Sequence, residues 1–195
     1  MKKSIVAVLL TALATPAFAE SSMLDGFYVG ATLGQGSANF SAPVGSGLIV
    51  DNTKSRAVYG VFGGYRFSPN LAAEIDYTGA SYIYTTTPAG VRYLSKQIVI
   101  AAVAVGTYPI SDTFSVYGKL GLSRASSESP TVGEQTTSRT GLTAGIGAEY
   151  KFTPHIAGRL GIDSYAVGAT IPTAVPAVAQ SSRATVVNAG VSYSF

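Results

Sequence analysis

From Gly26 to Gly36 the chain alternates in character. Phe27, Val29, Ala31 and Leu33 occupy one parity, and Tyr28, Gly30, Thr32, Gly34 and Gly36 the other. Successive side chains of an extended strand point to opposite faces, so this segment presents one greasy face and one small or polar face. The pattern returns at Phe114, Val116, Gly118, Leu120 and Leu122 against Ser115, Tyr117, Lys119, Gly121 and Ser123, and again between Leu142 and Phe152. It closes the chain, where Val187, Ala189, Val191, Tyr193 and Phe195 alternate with Asn188, Gly190, Ser192 and Ser194. One stretch, Ile98–Val105, is apolar at both parities. The alternation predicts eight strands, at about 26–38, 56–67, 71–84, 95–108, 114–125, 139–152, 156–167 and 184–195.

The connections have a rhythm. Tight ones are expected at 68–70, 109–113 and 153–155, and long ones, rich in Ser, Thr, Pro, Gly and Ala, at 39–55, 85–94, 126–138 and 168–183. Two architectures fit an exported all-β chain, a soluble sandwich and a barrel in the outer membrane. Short turns at one rim and long loops at the other describe the barrel. A tilted strand needs about 9–11 residues to cross a bilayer, and most of these segments have them. Tyr65, Phe67, Tyr108, Phe114, Tyr150, Phe152, Tyr193 and Phe195 sit beside the short turns or at the C-terminal end, as an interfacial aromatic girdle would. A sandwich would scatter them and would leave the loop rhythm unexplained. The predicted fold is therefore all-β: an eight-stranded antiparallel up-and-down transmembrane β-barrel with short periplasmic turns and longer extracellular loops.

Composition changes the picture in three places. Lys2 and Lys3, the apolar run Ile5–Leu13 and Ala17-Phe18-Ala19 form a secretory leader, so 1–19 is expected to be a cleaved signal peptide and 20–195 an outer-membrane barrel domain of the Gram-negative envelope. Without Lys2 and Lys3, the 13 basic residues fall to 11 against 10 acidic ones. A near-neutral chain offers no basic surface for nucleic acid. Charged residues make up only 12% of the chain, about half the usual ~25%. With 0 cysteines there is neither a disulfide framework nor a thiolate metal site. No apolar run is long enough for a transmembrane helix; Ile98 to Gly106 is about half the length required.

"GFYVGATLG" at 26–34, "GVFGGYRFSPNLAAEIDY" at 60–77, "TYPISDTFSVYGKLG" at 107–121, "GAEYKFTPHIAGRLGIDSY" at 147–165 and the closing "AGVSYSF" resemble the transmembrane domain of outer membrane protein A. The sequence is similar more broadly to the OmpA-like small barrels, related to OmpX and opacity-type porin-family proteins. That resemblance implies an integral outer-membrane location and assembly by the barrel-assembly machinery, with Val191, Tyr193 and Phe195 as the terminal signal it reads. It does not extend to a peptidoglycan-binding domain, which in outer membrane protein A follows the barrel.

Parity within a barrel also sorts the charges. With a three-residue turn at 153–155, Glu149 faces Arg159, and both point into the lumen with Lys119. Glu74 points in opposite Gly64, and Asp76 and Asp163 share its side. In the family, a Glu, Lys, Glu and Arg at matching places form a lumenal salt-bridge network that gates a narrow passage. The resemblance thus implies that role for Glu74, Lys119, Glu149 and Arg159. The interior of an eight-stranded barrel is just filled by side chains, so a static polar plug is the competing reading, and Val99, Val103 and Val105 make one wall dry.

Other signals fail. His155 is the single histidine and falls in a turn. "GATLGQGS" lacks the Lys-Ser/Thr and the helix of a phosphate loop. The outer loops hold no histidine for acyl-chain chemistry. The expectation is a non-enzymatic structural outer-membrane protein, without cofactor or metal, carrying at most a narrow gated pore. Outer-membrane lipid and lipopolysaccharide are its expected surroundings. The alternative is an adhesin or host-interaction protein binding a surface ligand through its extracellular loops.

Overall fold

The structure, a computed structural model, describes residues 26–38, 49–50, 53–87, 91–129, 135–171 and 178–195. The expected leader, 1–19, lies outside the described residues, so its cleavage remains an expectation. In chain order the strands are β1 (Phe27–Ala38), β2 (Ile49–Val50), β3 (Thr53–Ser68), β4 (Leu71–Thr87), β5 (Val91–Pro109), β6 (Phe114–Ser129), β7 (Gln135–Lys151), β8 (Ile156–Ile171) and β9 (Val178–Ser194). Eight of them pair antiparallel around a closed ring, and the β1–β9 ladder from Tyr28↔Ser194 to Ala38↔Ala184 completes it. Closure leaves no unpaired sheet edge, which hydrocarbon would penalise because no water is there to satisfy it. The two-residue β2 lies outside the ring and pairs with the far end of β4, Ile49↔Thr87 and Val50↔Thr86.

The distribution of burial is the reverse of a water-soluble protein's. Leu33 is 71% exposed, Ile146 67% and Leu160 64%, whereas Glu74 is 2% and Arg159 5% exposed. An apolar surface on that scale is unstable in water and is what lipid requires. The alternation read from the sequence is the cause. On β5, Ile98 and Ile100 face out, while Val99, Ala101, Val103 and Val105 face in and are buried. The doubly apolar run is thus lipid-facing on one side and a dry lumenal wall on the other.

The short turns are built locally. The Pro69–Asn70 turn is held by Asn70 N–H donating to Ser68 Oγ at 3.3 Å, and Asn70 Nδ2 donates to the Thr107 carbonyl on β5 at 2.9 Å. In the 153–155 turn, Thr153 Oγ1 accepts from the N–H groups of His155 (3.3 Å) and Ile156 (2.9 Å). Such side-chain-to-backbone bonds replace the ladder where the chain reverses. Aromatic pairs gather at this rim: Phe27–Tyr65, Tyr65–Phe67, Tyr150–Phe152 and Tyr193–Phe195 meet edge to face, with ring centroids 4.8–5.3 Å apart.

The far rim differs from the sequence expectation. β4 and β5 remain paired up to Thr86↔Val91, inside the loop expected at 85–94. β6 and β7 pair up to Ser129↔Gln135, inside that expected at 126–138. β8 and β9 pair up to Ile171↔Val178, inside that expected at 168–183. β3 begins at Thr53, within the loop expected at 39–55. Polar, Ser/Thr-rich composition reads as loop, yet Thr pairs well in a strand once its face is wet on both sides. The strands of the ring reach 16–19 residues, β1 excepted at 12, more than the ~9–11 that cross a bilayer. The remaining residues of those four expected loops lie outside the described residues.

Candidate functional site

Period two on four different strands brings four charged side chains to one level of the lumen. Register places Gly64 of β3 opposite Glu74 of β4, Lys119 of β6 opposite Gly145, and Glu149 of β7 opposite Arg159 of β8. Glycine at these facing positions leaves the width that long side chains need. A Cβ at Gly64 would overlap the Tyr28 phenol ring.

Glu74 is the hub. Its side chain is 0% exposed. Arg159 Nη1 donates to its Oε2 at 2.8 Å, Tyr28 O–H donates to the same oxygen at 2.9 Å, and Lys119 Nζ pairs with its Oε1. These donors come from β8, β1 and β6, so one carboxylate ties together four strands around the ring. Lys119 also reaches Asp76 Oδ2 at 3.3 Å. Arg159 Nε lies 3.1 Å from Glu149 Oε2. Its N–H is not aimed along a hydrogen-bond direction, so that contact counts as charge against charge. The guanidinium is flanked by aromatic faces, with Phe62 and Tyr117 ring centroids each 4.7 Å away. A desolvated cation over a ring gains about 2 kcal/mol or more.

Two participants were not singled out from the sequence. Arg66 Nη2 donates to Glu149 Oε1 at 3.1 Å, and Tyr28 carries the phenol that caps Glu74. Both were legible by parity. Arg66 shares the face of Gly64, and Tyr28 that of Gly30 and Thr32. Asp163 sits in the next layer, buried, accepting from Asn188 Nδ2 at 2.7 Å. In these two layers, among the described residues, four carboxylates, of Glu74, Asp76, Glu149 and Asp163, therefore face three cations, of Arg66, Lys119 and Arg159. Beside the layer lies a cavity of about 20 Å³, lined among others by Asp76, Lys119, Arg159 and Asp163. That is space for about one water molecule.

The other singled-out residues lie at the short-turn rim. Val191 faces outward and is 55% exposed. Tyr193 stacks on His155 with centroids 5.8 Å apart, and Phe195 N–H donates to the Phe27 carbonyl at 3.1 Å. His155 Nδ1 lies 2.8 Å from the Ser194 carbonyl, joining the β8 turn to the last strand. Among the described residues, no group of three or more His, Cys, Asp or Glu is placed to hold a metal ion.

A closed ring with greasy side chains outside and ion pairs within is matched by one family, the outer membrane protein beta-barrel domain, over residues 5–195. The chain belongs to that family. It is an integral β-barrel of the cell outer membrane, of the OmpA-like kind. Outer membrane protein P5 of Haemophilus influenzae is 29% identical over 223 residues, an alignment covering 100% of this chain and 61% of that protein. The chain thus spans about three fifths of the length of that relative. Among solved structures, Neisserial surface protein A superposes with a TM-score of 0.68 at 21% identity, covering 88% of this chain and 98% of the other. OprG from Pseudomonas aeruginosa follows the same path with a TM-score of 0.61 at 15% identity, covering 88% and 96%. At those identities the likeness is one of fold.

Proposed function

We propose that the protein is a structural, non-catalytic component of the outer membrane whose lumen is closed by its ion-pair layer, forming a plug with at most a narrow gated passage. The observation that carries this reading is the fully buried Glu74 carboxylate, held by donors from three other strands. Removing a cation from Glu74, or Glu74 itself, weakens the pairing of buried charges in a place water hardly reaches, which favours a layer that stays closed. The dry β5 wall, where Val103 stands in register with Glu74 and Val105 with Lys119, supports the same reading, since a water path wants polar groups on all sides. Refolded protein in planar bilayers is expected to carry no sustained current. Opening events that become frequent in Lys119→Ala or Arg159→Ala would replace the plug with a gate.

Two partners belong to this reading. The barrel-assembly machinery would read Val191, Tyr193 and Phe195, whose alternate outward positions end the closing strand. Outer-membrane lipid, including lipopolysaccharide, would surround the apolar band. A surface-binding role through the outer loops is the competing reading; adhesion to host cells that depends on the protein, with silent bilayers, would favour it.

A further inference from the structure

The ion-pair layer leaves one buried carboxylate without donors enough. Glu74 and Asp76 lie two residues apart on β4, so both point into the lumen, and Lys119 Nζ touches both. Glu74 has Tyr28, Lys119 and Arg159 as donors, Glu149 has Arg66 and Arg159 beside it, and Asp163 has Asn188. Asp76 has only its share of Lys119, at 3.3 Å from Oδ2. Its Oδ1 is buried, and no donor among the described residues reaches it. The side chains beside it on the sheet supply none, because Asp76 stands in register with Phe62 on β3 and Ala101 on β5. Across the lumen, the charged and titratable groups that share its cavity are Tyr117 and Lys119 on β6 and Arg159, Asp163 and Tyr165 on β8. Arg159 is already engaged by Glu74 and Glu149. The other group within hydrogen-bonding reach of Asp76 is the Glu74 carboxyl itself.

Two carboxyl groups in contact do not both ionise. An ionised Asp76 also buries an oxygen that nothing satisfies, at the full desolvation penalty. One proton resolves both difficulties. It makes Asp76 a donor toward Glu74, and it leaves three negative charges against the three cations Arg66, Lys119 and Arg159. We infer that Asp76 and Glu74 hold a single proton between them, which keeps the layer charge-balanced and closed at neutral pH, and that alkali loosens the layer by removing it. Without that proton, Lys119 serves two carboxylates that repel each other, and its flexible stem lets it drift from Glu74 toward Asp76. This inference rests on the plug reading and deepens it by naming the group that would release the plug. The sign of the pH effect follows. The folded chain binds one proton more than the unfolded chain, in which an exposed aspartate is ionised, so stability falls as pH rises through the range where the pair gives up its proton.

The test uses the full barrel refolded in phospholipid vesicles and read by infrared spectroscopy. The carbonyl absorption of a protonated carboxylic acid is expected at neutral pH, lost reversibly in alkaline buffer, absent from Asp76→Asn and retained in Asp163→Asn. The denaturant midpoint supplies the second measurement. Asn has the shape of the neutral acid and keeps a donor toward Glu74, so Asp76→Asn is expected to match the wild type at neutral pH, far from the loss seen in Lys119→Ala. In alkaline buffer the wild-type midpoint is expected to fall and that of Asp76→Asn to hold. The absence of an acid absorption from the folded wild type at neutral pH overturns the inference, and that spectrum stands even if Asp76→Asn folds badly by heat-modifiable gel mobility. So does an absorption that Asp76→Asn leaves in place, a neutral-pH loss in Asp76→Asn as large as that of Lys119→Ala, or an equal alkaline fall in wild type and Asp76→Asn. Bilayer current at neutral pH bears on the plug alone. Sustained current with the acid absorption present removes the plug and leaves the shared proton, whereas a silent bilayer without the absorption does the reverse.

Discussion

At the scale of residues, the four charges of the lumenal layer are not equivalent. Glu74 is shared by Lys119, Arg159 and Tyr28, whereas Glu149 is shared by Arg159 and Arg66, and Arg66 is 30% exposed at its side chain. Replacing Glu74 with Gln removes the carboxylate the two buried cations share and leaves Lys119 with Asp76 alone and Arg159 with Glu149 alone, each at a longer or poorly aimed contact. Replacing Glu149 with Gln leaves Arg159 still paired to Glu74 and Arg66 able to turn toward water. Glu74→Gln is therefore expected to lower the denaturant midpoint of the refolded barrel clearly more than Glu149→Gln. Equal losses would mean that Glu74 is not the hub. Breaking a buried pair from one side typically costs about 3–5 kcal/mol. Arg159→Ala should approach that range and exceed Leu160→Ala, because Leu160 is 64% exposed to lipid and leaves little cavity behind. The double variant Glu149→Ala/Arg159→Ala should recover part of the loss, read as a coupling energy in a double-mutant cycle.

At the scale of elements, the closing strand and the far strand ends give separate tests. β9 is secured at its base by Ser194 N–H to the His155 carbonyl at 2.8 Å, and by Phe195 N–H to Phe27. Deleting Phe195 removes the second bond and an interfacial aromatic. Heat-modifiable gel mobility in whole membranes is expected to show far less folded barrel, and normal amounts would count against the assembly reading. His155→Ala removes an exposed hydrogen bond to the Ser194 carbonyl and the stacked contact with Tyr193, and should shift stability by less than about 1.5 kcal/mol. The outer strand ends make a prediction that composition alone would reverse. Residues 168–171 and 178–183 lie in the paired ends of β8 and β9, so protease added to intact cells should leave both stretches uncut. Cleavage at Gln180–Ser182 would restore the loop that their Ser- and Ala-rich sequence suggests.

At the scale of the whole molecule, the strand positions were legible because lipid imposes a period-2 pattern on every strand, and the turns because Ser-Pro-Asn and Thr-Pro-His reverse a chain wherever they occur. The inward direction of Glu74, Lys119, Glu149 and Arg159 followed from the same period once the barrel was assumed. What parity cannot supply is partner and distance. Alternation alone leaves Glu149 with Arg159 as a hairpin neighbour. Only the closed ring brings Arg66 from β3 to the other oxygen of Glu149, 83 residues away in sequence. Nor does pattern mark where a strand stops once both its faces are wet; continued pairing beyond the lipid band is decided by the twist and register of neighbouring strands. The sequence by itself thus determined the class of fold, its membrane and the side each charge takes, because those depend on local alternation against a fixed solvent. The tertiary structure alone decided which charges meet, that Tyr28 and Arg66 complete the layer, and how far the barrel rises above the lipid, because those depend on the closure of β1 upon β9 and the stagger it imposes on every strand between.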